Sequence, residues 1–281
     1  MTLRFGVEAP LAGETERLAR LLRGVGVRAV PADTPGNGAL EALRDGAVTL
    51  AAVAGPTAAA ACAGPGLVVL AVLGRDEPRD ILVAGQGSHA SLPTLASGSR
   101  VGLSGARRRG YLRAHRPDLV PVPPENGGGP VKALLSRSVD AVIVPLAEAR
   151  GLSLHRLGSE VLDAKAWVPG AGQGATVLLG RAGETPPPGL GALDDPPSGV
   201  AFRVEAAAAA ALRTAGELPA GFLAVPFGAW IRAWGMVASP DGRSLVRGDL
   251  TGSVDEPEAL GFALADLLER RGAGRLLETQ R

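Results

Sequence analysis

The chain has 281 residues and a formal net charge of +1 at pH 7. This near-neutral balance argues against a bulk electrostatic role on nucleic acid or on an anionic membrane surface. Its single cysteine, Cys62, excludes an internal disulfide and a cysteine-cluster metal site. The histidines lack the spacing of metal ligands. The chain opens with no signal-peptide pattern, so we expect a cytoplasmic protein with neither a membrane nor a nucleic-acid partner.

The N-terminal third alternates predicted strands and helices. Apolar runs and helical periodicity predict a strand, a helix, a strand, a helix and two strands at residues 2–7, 14–22, 25–32, 39–44, 48–53 and 67–73, respectively. Glycine and proline interrupt the apolar run 48–73, which therefore predicts strand, turn and strand and not a membrane span. The βαβα order predicts a largely parallel sheet with right-handed crossovers.

The same order restarts near residue 99. Strands are predicted at residues 99–103, 119–122 and 139–145, separated by an arginine-rich helix and by a second helix at 131–135. Two similar α/β units in tandem predict a cleft between them, which is the usual place for a small ligand.

The C-terminal part has a different composition. The proline-rich stretch 185–197 is typical of a linker. Beyond it, an alanine-rich helix, three strands and an amphipathic helix are predicted at residues 204–212, 223–225, 231–237, 244–248 and 256–271, respectively. This pattern predicts a small α+β third domain after the two α/β units.

The turn before the arginine-rich helix is a candidate ligand site. Ser104 lies in that turn, and Arg107, Arg108 and Arg109 fall in the first turn of the helix. Free N–H groups at a helix N-terminus, together with guanidinium groups, bind carboxylates or phosphates. Arginine opposes the helix dipole there, so stability alone gives no reason for it. A solvated basic face has the same pattern, and the residues alone leave both interpretations open.

Four motifs, in order along the chain, resemble those of hydroxymethylbilane synthases, a family also called porphobilinogen deaminases. They read RDEPRD from Arg75, VGLSGARR from Val101 with RPDL from Arg116, VPGAGQGA from Val168, and AFRV from Ala201 with SPDG from Ser239 and RG from Arg247. Each motif is weakly specific, but their order and spacing across nearly the whole chain indicate homology.

The resemblance implies a fold that agrees with the residue patterns. It implies the fold class α/β, with two periplasmic-binding-protein-like domains of type II around a cleft and a small α+β C-terminal domain. The implied boundaries are residues 1–86 with 173–190 for the first domain, 90–168 for the second and 196–281 for the third.

The resemblance also implies a substrate- or anion-binding site. Ser104, Arg107 and Arg108 match the family's anion-binding turn, and Gln173 and Gly174 match its return strand beside the cleft. Gly174 would serve backbone geometry equally well.

The chain departs from the family where the family's chemistry lies. The family extends a dipyrromethane cofactor that is joined by a thioether to a third-domain cysteine, and here Phe222 or Leu223 takes that place. The family's catalytic aspartate follows a strand, and here residues 54–58 read AGPTA. The family's flap shrinks to residues 35–38, and only Asn126 remains of an arginine-bearing segment.

These departures predict a divergent member that lacks key catalytic residues, with no catalytic residue assigned and no cofactor expected. Such a pseudoenzyme of tetrapyrrole biosynthesis would bind an acidic pyrrole or another small carboxylate without polymerising it, with a pathway enzyme as a further partner. Two alternatives stay open: an active deaminase with a relocated nucleophile, and a small-anion sensor. Cys62 is predicted to be a buried, inert thiol, and Asp76, Arg79 and Asp80 an ion-pair network.

Overall fold

The computed structural model describes residues 3–8, 13–34, 38–85, 90–123, 129–157, 159–212 and 219–278. Within these ranges the strands form three sheets, two with five strands and one with three. No helix in the described part of the chain is long and apolar enough to cross a membrane.

The first sheet is built mainly from the N-terminal part of the chain. Its strands are β1 (Leu3–Val7), β2 (Ala29–Pro31), β3 (Leu50–Ala54), β4 (Leu67–Val72) and β10 (Thr176–Arg181). Its helices are α1 (Thr15–Gly24), α2 (Gly38–Arg44) and α3 (Gly55–Ala61). The strand order is β2-β1-β3-β10-β4, and β10 runs antiparallel to both neighbours. Strand β3 is almost fully buried because helices cover both faces of such a sheet.

The second sheet repeats this arrangement. Its strands are β5 (Asp80–Ala84), β6 (Arg100–Leu103), β7 (Val120–Val122), β8 (Ala141–Pro145) and β9 (Ser159–Val161). Its helices are α4 (Ala106–His115), α5 (Pro130–Leu135) and α6 (Leu146–Gly151). The strand order is β7-β6-β8-β5-β9, with β5 antiparallel to both neighbours.

The two sheets exchange their antiparallel strands. Strand β5 follows β4 in sequence but joins the second sheet, and β10 follows β9 but joins the first. The chain therefore crosses between the units twice, at residues 73–79 and 162–175. The crossings touch each other, because the Asp76 amide donates a hydrogen bond to the Gly174 carbonyl at 3.0 Å.

The third unit combines an antiparallel sheet with helices. It contains α7 (Pro196–Ala211), β11 (Ala220–Phe227), β12 (Trp230–Ala238), β13 (Leu245–Ser253), α8 (Pro257–Arg270) and α9 (Ala273–Glu278). Helices α7 and α8 cover one face of the sheet through a core that includes Phe222 and Ile231. The other face packs on the second unit, where the Tyr111 hydroxyl donates to the Met236 carbonyl at 2.8 Å.

The predicted architecture of two α/β units and a small α+β unit is confirmed, although each five-stranded sheet is mixed and not largely parallel. Three local predictions are wrong. Residues 48–73 include helix α3, because Pro56 in the first turn starts a helix and the alanines after it favour one. Residues 168–175 form a crossing, since Gly172 and Gly174 have positive φ and the strand begins only at Thr176.

The third correction concerns the proposed linker at residues 185–197. Its Leu190 is 1% exposed in the core of the first unit. The Asp194 carboxylate accepts a hydrogen bond from the Val72 amide at 2.8 Å, and the Asp195 amide donates to the Val72 carbonyl at 2.8 Å. The segment is therefore packed against the end of β4. We retain the domain boundaries given above as a proposal.

Candidate functional site

The two crossings meet at Asp80, the first residue of β5, whose side chain is fully buried. Arg107 Nη2 lies 2.7 Å and Trp167 Nε1 2.9 Å from Asp80 Oδ2. Arg108 Nη2 lies 2.9 Å and Gln173 Nε2 2.8 Å from Oδ1. Donors from helix α4 and from the second crossing thus converge on one carboxylate.

The amide of Gln173 connects the same groups. Its Oε1 accepts hydrogen bonds from Arg107 at 3.0 Å and from Arg108 at 3.1 Å. Its Nε2 also donates to the Pro78 carbonyl at 2.6 Å. Arg107 makes a further bond, from Nη1 to the Val168 carbonyl at 3.0 Å. The structure therefore brings together three predicted site residues, Arg107, Arg108 and Gln173, around an internal carboxylate.

The charges of this cluster do not cancel. Burial alone would raise the pKa of Asp80, but the guanidinium groups of Arg107 and Arg108 and their hydrogen bonds outweigh it and hold the pKa below its ordinary value. An ionised Asp80 beside two arginines leaves one net positive charge. Because Arg107 is 10% and Arg108 14% exposed, this charge lies in a largely desolvated place, where electrostatic attraction is strong.

A second buried carboxylate, Glu205 of α7, joins the third unit to the crossings. It forms a two-bond pair with Arg75, with N···O distances of 2.7 and 3.1 Å. It also accepts hydrogen bonds from the Gly172 amide at 2.6 Å and from the Ala224 amide at 2.8 Å. The Arg75 Nε donates to the Gln173 carbonyl at 2.9 Å, so the two carboxylate clusters are contiguous.

Close backbone contacts explain why residue 174, where the two crossings meet, is a glycine. Gly174 has φ +85°, and a Cβ there would lie 2.7 Å from the Asp76 carbonyl oxygen. A side chain at Gly55, at the start of α3, would overlap the Gly172 carbonyl. Gly174 therefore serves backbone geometry, and it also borders the cleft.

A cavity of about 1080 Å³ lies between the two α/β units and the third unit. One part of its wall is apolar, formed by alanines of α3 and α7 together with Phe222. Another part carries Ser104, Arg107, Arg108 and Gln173. The cavity therefore offers both an apolar surface and hydrogen-bond donors with positive charge, the usual composition of a small-ligand site.

The N-terminus of α4 faces this cavity. Ser104 and Gly105 line it, and no side chain caps the helix. Among the described residues the Ser104 hydroxyl has no hydrogen-bond partner, and its carbonyl accepts a long bond of 3.4 Å from Arg108 Nη1. The uncapped helix end and the free hydroxyl are therefore available to an anion.

Sequence reasoning missed several members of the site. Arg109, the third arginine of the run, does not line the cavity. Trp167, Glu205 and Glu148 went unnoticed, and only Glu205 left a signal, as the single carboxylate of the alanine-rich α7. Asp80 was assigned to an ion-pair network, and it pairs with the two arginines that were assigned to a ligand.

The end of β3, where the family's aspartate lies, is closed by the chain itself. Glu8 follows β1, and its carboxylate accepts hydrogen bonds from the Ala54 amide at 2.7 Å and from the Thr57 hydroxyl at 2.6 Å. Glu8 is 5% exposed. This carboxylate caps α3 and satisfies donors that would otherwise face the cleft.

The positions relevant to covalent attachment hold no free thiolate. Phe222 is 1% exposed and lines the cavity, and Leu223 is 5% exposed in the core between the second and third units. Cys62 follows α3 and is half-buried, not fully buried as predicted, and this burial raises the pKa of its thiol above the ordinary 9.0. A thiol with a raised pKa is protonated at neutral pH and is a poor nucleophile.

Three further features considered in the sequence are Asn126, the shortened flap and a metal site. Asn126 and residues 35–37 of the shortened flap lie outside the described residues. Across the ranges that the structure describes, no group of three histidine, cysteine, aspartate or glutamate side chains could hold a metal ion.

A family model described as porphobilinogen deaminase, dipyromethane cofactor binding domain, matches residues 41–186. The expectation that no cofactor belongs to this chain is therefore wrong, because the matched domain is defined by the dipyrromethane that it binds. The residues of the cleft fit part of this group. Ser104, Arg107 and Arg108 would hold its carboxylates, whereas neither Phe222 nor Leu223 has the sulfur for its thioether.

Curated relatives agree with this match. The chain is 37% identical over 205 residues to porphobilinogen deaminase of Roseiflexus castenholzii, covering 72% of this chain and 67% of the relative. It is 36% identical over 216 residues to that of Moorella thermoacetica, covering 76% and 68%. A periplasmic substrate-binding protein from Coxiella burnetii has a TM-score of 0.46 at 19% identity, covering 68% of this chain and 90% of that one, and adds nothing to this assignment. The chain belongs to the porphobilinogen deaminase family of tetrapyrrole biosynthesis.

Proposed function

We propose that this chain binds an acidic pyrrole, or another small carboxylate, in the cleft between its α/β units and does not polymerise it. One observation carries the proposal: Ser104, Arg107 and Arg108 line a cavity of about 1080 Å³ beside an uncapped helix N-terminus. The two arginines carry one positive charge more than the buried Asp80 neutralises, so they attract a carboxylate.

The rest of the cleft suits the ring of such a ligand. Alanines of α3 and α7 together with Phe222 give an apolar wall against which a pyrrole can pack. Asp80 and Gln173 hold both guanidinium groups in place before a ligand arrives. A site that is ordered in advance loses less entropy on binding.

The absence of polymerisation follows from the groups at two positions. The end of β3 carries Ala54, Gly55 and Pro56, and the nearby Glu8 carboxylate is committed to the Ala54 amide and the Thr57 hydroxyl. No carboxylate is therefore offered to a ligand at the place of the family's aspartate. Covalent growth of a chain of pyrroles also needs an ionisable attachment group, and Phe222 and Leu223 provide none.

Calorimetric titration with porphobilinogen tests the proposal. We expect Arg108→Ala to weaken binding by about tenfold or more, the value of one charge-assisted hydrogen bond. Arg109→Ala is the matched control, since the neighbouring Arg109 lies off the cavity, and it should leave affinity unchanged. Arg108→Lys keeps the charge beside Asp80 but loses the forked geometry, and it should give an intermediate affinity.

The same samples test for polymerisation. After prolonged incubation with porphobilinogen and acid oxidation, we expect no porphyrin absorbance above that of a protein-free blank, which accounts for the condensation of free porphobilinogen in acid. Porphyrin formation would overturn the non-catalytic part of the proposal, and equal affinity in the Arg108 and Arg109 variants would overturn the anion site.

A second candidate function is an active, divergent deaminase with a relocated nucleophile. It is favoured by the family model, which is that of a dipyrromethane-binding domain and spans Cys62. Intact mass of the protein purified from porphyrin-producing cells separates the candidates. An increment of two pyrrole units on the denatured chain would establish covalent attachment and this second function. An unmodified chain that releases a bound pyrrole would support the first.

The proposal also includes a cellular location and a macromolecular partner. We place the protein in the cytoplasm, with a tetrapyrrole-pathway enzyme as its macromolecular partner. The family membership supports this setting.

A further inference from the structure

The carboxylates that line the cleft differ in their partners. Glu14 pairs with Arg17 at 2.7 Å, and Asp76 pairs with Arg150 at 3.0 Å. Glu148 also lines the cavity, yet within the described ranges its carboxylate has neither an ion-pair partner nor a hydrogen-bond donor. Of the described carboxylates on the cavity wall it is the one that forms no ion pair, and it lies on the same unit as the positively charged turn.

The fold sets Glu148 close to the anion-binding residues. It lies in the first turn of α6, directly after β8, and β8 is paired with β6, which leads to Ser104 and α4. Glu148 interacts electrostatically with both Arg108 and Asp80. Burial raises its pKa, while Arg108 acts in the opposite direction. An acidic residue in a first turn suits the helix dipole, and the exposed Glu148 carboxylate is solvated before a ligand binds, so it is accessible to a ligand.

We infer that Glu148 binds the cationic amine of a ligand whose carboxylate is held by Ser104 and Arg108. This inference rests on the proposed function and narrows it to pyrroles that carry both an acidic and an ammonium group. Opposite charges on one wall match such a ligand at both ends through charge-assisted hydrogen bonds. A purely anionic ligand leaves Glu148 facing like charge without compensation, so the same residue discriminates against it.

The test compares two pyrroles by calorimetry. One is porphobilinogen, which has carboxylates and an aminomethyl group, and the other has a methyl group in place of the aminomethyl group. We expect Glu148→Gln to weaken the binding of porphobilinogen by about tenfold. Affinity for the methyl analogue should stay unchanged or rise, because the substitution removes a repelling charge. The wild-type preference for porphobilinogen should therefore disappear.

Glu258→Gln is the matched control, because Glu258 is an exposed carboxylate of α8, outside the cavity, and it should change neither affinity. Thermal unfolding of each variant verifies folding. A purely structural role for Glu148 would lower the unfolding temperature, or weaken both pyrroles alike, and would overturn the inference. If Glu148→Gln leaves both affinities unchanged, the inference fails while the proposed function stands. If the wild type binds neither pyrrole, the proposed function fails and the inference fails with it.

Discussion

The first and second α/β units share one strand order, but their sides of the cleft are built differently. In the first unit the residue after β1 is Glu8, whose carboxylate caps α3 through the Ala54 amide and the Thr57 hydroxyl. In the second unit the residue after β6 is Ser104, whose hydroxyl has no partner in the part of the chain that the structure describes. Glu148, in the helix equivalent to α3, is likewise unpaired.

The same fold therefore pairs its polar groups within the protein on the first unit's side of the cleft, and leaves polar groups free for a ligand on the second unit's side. The first unit satisfies its own donors, so an anion gains little by approaching them. The second unit uses Asp80 to orient Arg107 and Arg108, and it leaves their excess charge, Ser104 and Glu148 to a ligand. Substitutions in the first unit should therefore change stability, and those on the second unit's wall should change affinity.

The largest effect is expected from Asp80→Asn, which tests whether the arginines depend on their internal carboxylate. Removing this charge leaves two largely buried guanidinium groups unpaired, which lowers the free energy of unfolding by about 3–5 kcal/mol. Urea unfolding followed by tryptophan fluorescence measures it. Asp249→Asn, in an exposed pair with Arg232, is the control and should cost less than about 1 kcal/mol. Equal losses in both variants would contradict the role of Asp80.

Glu8→Ala tests the closed wall of the first unit. The substitution leaves the Ala54 amide and the Thr57 hydroxyl without their acceptor, and we expect a loss of about 1–3 kcal/mol in unfolding free energy. The affinity for porphobilinogen should not change. Glu184→Ala, which removes an exposed partner of Arg181, is the control for stability. A loss of affinity in Glu8→Ala without a loss of stability would show that this wall contacts the ligand.

Ser104→Ala tests the open wall of the second unit. One hydrogen bond from this hydroxyl to an ionised ligand carboxylate is worth about 1.5 kcal/mol, so affinity for porphobilinogen should fall about 12-fold. The unfolding temperature should stay the same, because no described group depends on this hydroxyl. Ser138→Ala, whose hydroxyl bonds to the Ala133 carbonyl away from the cleft, should leave affinity intact. A stability loss with full affinity in Ser104→Ala would reverse the assignment of the two walls.

Local pattern in the sequence predicts most of the architecture but little of this asymmetry. Alternating strands and helices were readable because each buries an apolar face with its own period. The Gly55-Pro56 pair was misread as a turn, since the same residues also start helices. The family resemblance pointed to Arg107, Arg108 and Gln173. Their internal partner Asp80 lies 27 residues before Arg107, and a pairing at that separation leaves no local pattern.

The roles of single carboxylates were the least predictable feature. Glu8, Glu148 and Glu205 are the same residue type, yet one caps a helix, one faces a cavity and one is buried against Arg75. Composition and periodicity do not distinguish these settings, because each depends on which other segment packs nearby. The pairing of β1 with β3 determines the neighbours of Glu8, and the packing of α7 on the crossings determines those of Glu205.

The smallest effect we predict is a pH dependence that isolates Glu148. Because its pKa is raised in the folded protein, the protonated form is favoured there relative to the unfolded chain. The resulting stability is fully present below the ordinary pKa of 4.5 and is lost as pH rises through the raised value. The Glu148→Gln variant has no titrating group at this position, so its stability does not change in this way. The difference in unfolding temperature between wild type and variant should therefore change between pH 4.5 and the raised pKa.

Titrating groups that do not interact with Glu148 are common to the two proteins and cancel in that difference, and the lowered pKa of Asp80 keeps that neighbour ionised across the interval. Above the interval the wild type has an ionised Glu148 that lacks a partner, and the variant should be the more stable of the two. Adding porphobilinogen should then reverse the order, because its ammonium group supplies the missing partner only to the wild type. A difference that stays constant with pH would mean that Glu148 titrates as it does in the unfolded chain, and its setting on the cavity wall would then have no electrostatic consequence.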